Sequence, residues 1–99
     1  MNPNLELSIR EAVAVKTGVL HFEIADRFDE TTEVENARAI FFKLLLEYDI
    51  AYQAQLCVRY NLQINKLREY IDKASKIIYR ECEKWIALIN NPTYGDVTN

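Results

Sequence analysis

The sequence predicts an all-α fold: a compact multi-helix domain with a helix-turn-helix and a long C-terminal helix. Three observations carry this expectation. The 99-residue chain has only two Gly and two Pro, and the prolines, Pro3 and Pro92, stand near its ends. Apolar residues recur at helical spacing through most of the chain, and β-branched residues are scattered rather than gathered into strands. About half of the residues are apolar, enough for a core and too many for disorder. The length predicts one domain, residues 1–99, with 1–4 and 91–99 as flexible ends.

The elements follow in order. Ser8 can cap a first helix from Ile9 to Lys16, which Thr17-Gly18 ends. The dense apolar segment Val19–Phe28 is expected to be a connector with a short helical turn. The acidic, Thr-rich stretch DRFDETTEVE (26–35) follows as a linker. Thr32 and Glu35 have capping-box spacing, so a helix should start near Glu33. Its run ARAIFFKLLLEY (37–48) is apolar on nearly every side and must be central, with Ile40, Phe41, Leu44, Leu45 and Tyr48 in the core. Asp49 can cap a short helix over 50–59.

A tight turn at Asn61 then separates that helix from a long one. Leu56, Tyr60, Leu62, Leu67 and Tyr70 occupy the positions that a helix-turn-helix buries. Cys57 is the small residue at the helix crossing, and Asn61 tolerates a left-handed backbone. The motif spans about residues 50–80. A helix unbroken to Ile89 would have about 26 residues and run roughly 40 Å. A domain of this size is only about 26 Å across. The helix should therefore break near 79–83, or a second copy should cover its end.

Charge is unevenly distributed. The net charge is −3, yet residues 59–84 carry seven basic side chains against four acidic ones. The basic excess coincides with the turn and the long helix, which fits a side facing a polyanion or, alternatively, a solvated helix face with i,i+4 pairs such as Glu69–Lys73 and Asp72–Lys76. In a helix-turn-helix, the start of the second helix meets base edges in the major groove. Gln63, Asn65, Lys66 and Arg68 are the base-facing candidates, because Gln and Asn pair with adenine and Arg with guanine. Arg59, Lys73 and Lys76 are the phosphate candidates. Tyr79, Trp85, Ile86 and Ile89 form a candidate oligomer or partner surface, with simple packing on the first helix as the alternative.

Other chemistry finds little support. His21 is the sole histidine, and no Gly-rich phosphate loop or nucleophile motif occurs. No enzyme, metal or cofactor is expected. Cys57 and Cys82 have no metal-type spacing and are expected as reduced thiols. There is no membrane-spanning apolar run, and the first residues do not resemble a secretion signal. A cytoplasmic location is expected.

The run AVAVKTGV, EIADRF, VENARAIFFKLLLEY, AQLCVRYN and KLREYIDKASKII (within 12–78) resembles the DNA-binding C-terminal domain of the bacterial replication initiator DnaA. That module belongs to the Trp-repressor-like helix-turn-helix group. Ala37, Arg38 and Leu44 match the pattern of its central helix. The resemblance covers about residues 9–80 and implies that fold, with double-stranded DNA as partner. Two departures stand beside it. Gln63-Ile64-Asn65-Lys66-Leu67 replaces the family's signature at the start of the reading helix, and the loop before the central helix is acidic where the family's is basic. The functional expectation is a small helix-turn-helix DNA-binding protein, a transcriptional regulator or replication accessory factor. The alternative is a helical protein–protein interaction module, paired with itself or a partner, that keeps the fold without DNA.

Overall fold

In the computed structural model, residues 3–26 and 28–90 are described, and they form six helices with no strand among them. α1 (Pro3–Thr17) starts about a turn and a half before the expected Ile9. Pro3 opens it, a position where proline's preset φ suits the first turn. Ser8 therefore sits inside the helix and does not cap it. The early start is hidden in the sequence because Glu6 occupies an inward position, only 2% exposed, one turn before buried Ile9.

Three helices end the same way. Gly18 (φ 75°), Asp49 (φ 56°) and Asn61 (φ 53°) each adopt the left-handed conformation. The amide that follows each one reaches back to a carbonyl five residues earlier: Val19 to Ala14 at 3.2 Å, Ile50 to Leu45 at 3.0 Å, Leu62 to Cys57 at 2.9 Å. This is the Schellman closure, and its customary apolar residue after the left-handed one is Val19, Ile50 or Leu62. Asp49 thus ends α3 (Thr32–Glu47) and caps no helix after it, so α4 is shorter than expected, Gln53–Arg59.

α2 (His21–Ala25) is the short helical turn expected in the connector. The capping box at Thr32 and Glu35 does not form. Thr31 takes the cap position with its hydroxyl turned to Asp29 at 3.1 Å, and the Glu35 carboxylate points inward. α3 is central, as its sequence requires: Ile40, Phe41, Phe42, Leu44 and Leu45 are all buried. α5 (Ile64–Arg80) makes the most extensive packing against it, and α1 and α2 cover other sides.

The long C-terminal helix breaks at Glu81 (φ −118°, ψ 35°), where α5 gives way to α6 (Cys82–Asn90). The break keeps the molecule within 36 × 28 × 21 Å. It also re-aims α6, so that Trp85 and Leu88 enter the core at 1% and 0% exposure. The expected partner surface is corrected accordingly. Trp85 is a core residue, Ile89 packs half-buried against the core, and only Tyr79 and Ile86 are exposed. The Tyr48 hydroxyl donates to the Leu88 carbonyl at 2.8 Å and fastens α6 to the end of α3. The sulfhydryls are free, Cys57 half-buried and Cys82 exposed. The expected flexible tail, 91–99, lies outside the described residues, whereas Asn4 is already helical.

Candidate nucleic-acid interface

The helix-turn-helix is built by α4, the four residues 60–63 and α5. Its inner side packs as the spacing predicts. Leu56 and Leu67 are fully buried, Tyr70 nearly so, and Cys57, Tyr60 and Leu62 pack half-buried against the core. Edge-to-face ring contacts lock the motif onto α3. Phe42 meets Tyr60 at 5.1 Å and Tyr70 at 5.4 Å between ring centres, and Phe41 meets Tyr60 at 5.9 Å. Such pairs add about 0.5–1.5 kcal/mol each beyond burial.

Two polar networks complete the attachment, and neither was legible as such in the sequence. In the first, buried Glu6 of α1 accepts from Arg59 Nε at 2.9 Å and from the Tyr60 hydroxyl. Arg10 Nη1 reaches that hydroxyl at 3.5 Å. In the second, Arg38 of α3 is 2% exposed. It donates to the carbonyls of Ile24 at 2.8 Å, Glu23 at 3.0 Å and Asp26, satisfying the end of α2. Arg38 also pairs with Glu35, whose Oε1 accepts the Tyr70 hydroxyl at 2.7 Å. An Arg near the start of a run that only Lys43 and Glu47 otherwise interrupt was the sequence signal for this network.

Burial, and after it the neighbouring Glu6 carboxylate, raises the Tyr60 phenol well above its ordinary range. Burial also pushes Tyr70 up to about 12, with Glu35 adding to the effect and Arg38 opposing it. Both phenols therefore hold their protons more tightly folded than unfolded. The stabilisation is complete below the ordinary tyrosine value of 10.0 and is lost as pH climbs from there towards about 12. Unfolding midpoints followed across alkaline pH should fall in that window. The Tyr60→Phe/Tyr70→Phe variant should show a flatter profile, and an identical slope would refute the assignment.

The outer side of α5 presents the candidate reading residues. Gln63, Asn65 and Arg68 are exposed, with Ile64 40% exposed among them. Asn65, Arg68, Glu69 and Asp72 lie three and four residues apart on one solvent face. Lys66 is turned to the flank: its Nζ stands 3.8 Å from Glu35 Oε2, 3.9 Å from Glu69 Oε2 and 4.9 Å from the Tyr70 ring centre. Two of the phosphate candidates are also answered by acids, Arg59 by Glu6 and Lys76 by Asp72 at 3.0 Å. Among the described residues, Arg68 and Lys73 make no ion pair. Lys73, Lys76 and Arg80 line a shallow groove along α5 with Asn36, Ile77 and Tyr79.

The described residues hold no group of three or more His, Cys, Asp or Glu placed to bind a metal. None of their helices is long and apolar enough to cross a membrane. Comparison of the chain with family models, curated proteins and solved structures gives no match.

Proposed function

We propose that this chain is a small helix-turn-helix protein that binds double-stranded DNA, acting in the cytoplasm as a transcriptional regulator or replication accessory factor. The observation that carries this reading is the two-sided α5. Behind the left-handed Asn61, its inner residues Leu67, Tyr70, Ala74 and Ile77 are buried, while Asn65, Arg68 and Lys73 stand free towards solvent. A reading helix needs this division, with one face fixed and the other holding side chains that match base edges and phosphates. The resemblance of residues 9–80 to the DnaA C-terminal module supports the same reading.

Fluorescence anisotropy with a mixed-sequence duplex tests it. Binding should be measurable at low salt and weaken linearly on a log–log plot. Removing the charge of Arg68 or Lys73 should lower the slope by about 0.9 for each phosphate that is no longer neutralised. Absence of binding at low salt, where the electrostatic attraction is strongest, would refute the proposal.

A second reading, a helical protein-interaction module, is favoured by one observation. Tyr79 and Ile86 are 87% and 55% exposed on either side of the Glu81 break. On that reading the chain binds no duplex at any salt concentration.

A further inference from the structure

The first turn of α5 carries a cation that the fold has already engaged. Lys66 is about half exposed and lies near two carboxylates, Glu35 and Glu69. Glu69 is a surface partner, with its side chain 74% exposed. Glu35 is held in place. Its Oε1 accepts from Tyr70 at 2.7 Å and from Arg38, and Arg38 is itself anchored to three carbonyls at the end of α2. The acceptor is therefore held in place, and the lysine stands between Glu35 of α3 at 3.8 Å and Glu69 of its own helix at 3.9 Å.

Phosphate attraction is blind to sequence, whereas contacts to base edges discriminate. A helix whose first cation is answered by a fixed carboxylate has less of the blind attraction and keeps its Asn and Arg for the bases. We propose that Glu35 is a specificity-determining residue. It withholds Lys66 from the phosphates, so that duplex binding depends on Asn65 and Arg68. This rests on the DNA reading and names a control built into that same site.

The test is a salt titration of mixed-sequence duplex binding for wild type, Glu35→Gln, Glu69→Gln and the double variant, each with and without Lys66→Gln. In wild type, Lys66→Gln should leave the slope nearly unchanged. In the double variant, Lys66 becomes free for a phosphate and the slope should steepen by about 0.9. Such a change makes the affinity lost between about 50 and 200 mM salt roughly threefold larger. Adding Lys66→Gln to the double variant should abolish the gain. Glu35 belongs to a buried network, so circular dichroism checks the fold of its variants. Glu69→Gln leaves that network untouched and should give a smaller steepening by itself.

An unchanged slope in every acid variant would overturn the inference while leaving DNA binding standing. So would a full unit lost by Lys66→Gln in wild type, since Lys66 would then already sit on a phosphate. If neither wild type nor any variant binds duplex at low salt, the inference and the DNA reading fall together.

Discussion

Replacing Arg38 with methionine is expected to destabilise the domain by about 3–5 kcal/mol, the usual cost of breaking a buried ion pair from one side. Methionine can fill the space of the stem. It cannot donate to Glu23, Ile24 and Asp26, so the Ile24 carbonyl loses its donor while those of Glu23 and Asp26 keep only the Asp26 and Asp29 amides. It also leaves the Glu35 carboxylate with the Tyr70 hydroxyl and the half-exposed Lys66, 3.8 Å away, as its partners. Each unsatisfied group costs about 1–3 kcal/mol, with some relief as water enters the loosened loop. A domain of this kind has about 5–15 kcal/mol in total, so the loss should be plain in the urea midpoint. Arg38→Lys should recover little, because a compact ammonium cannot span carbonyls and carboxylate together. Combining Arg38→Met with Glu35→Gln should cost less than the sum of the two, since the second change removes the stranded charge. A loss below about 1 kcal/mol for Arg38→Met would mean that α2 and its loop are held by apolar contacts alone.

Trp85→Ala should cost about as much, 3–5 kcal/mol on the usual scale for emptying a large aromatic site. Trp85 is 1% exposed, and Leu88 beside it is fully buried. Without the indole, the remaining ties of α6 are Leu88, half-buried Ile89 and the Tyr48 hydroxyl. Circular dichroism should therefore show a loss of helix at low denaturant, ahead of the main transition. The measurement also separates two pictures of this residue. An indole displayed for a partner could be removed with a change within about 0.5 kcal/mol, as for most surface positions.

Most of the architecture was legible because it rests on local rules. The apolar run 37–48 could only be central, and the Asn61 turn with its ring of apolar positions fixed α4 against α5. The disagreements arise where one residue type has two physical uses. Asp49 suits a helix start and also tolerates the left-handed backbone, and the apolar Ile50 after it, like Leu62 after Asn61, signals the second use. Thr32 and Glu35 have capping-box spacing, but an inward Glu35 that completes the environment of Arg38 and Tyr70 outweighs a surface cap worth about 1 kcal/mol. Glu6 hid the first turns of α1 because a buried carboxylate resembles a surface residue until Arg59 and Tyr60 stand next to it, and no local pattern reports a partner more than fifty positions away.

The candidate interface was legible by composition only. Exposure of Asn65, Arg68 and Lys73 follows from helical spacing, as does the i,i+4 pair of Lys76 with Asp72, whereas the pairing of Lys66 with Glu35 and of Arg59 with Glu6 depends on tertiary placement. Trp85 stayed open between a partner surface and the core because a continuous helix and a helix broken at Glu81 send the same sequence in different directions.

The division of α5 into two faces has a consequence for how such a chain can diverge. Residues that hold the helix to α3 and the solvent-facing residues proposed to read DNA alternate along it. Substitutions at 65, 68 and 72 can therefore accumulate without disturbing Leu67, Tyr70 or Ala74. The outer face is thus free to vary on an unchanged scaffold. Lys66 is the exception: tied to Glu35, it would have to change in step with a residue on another helix.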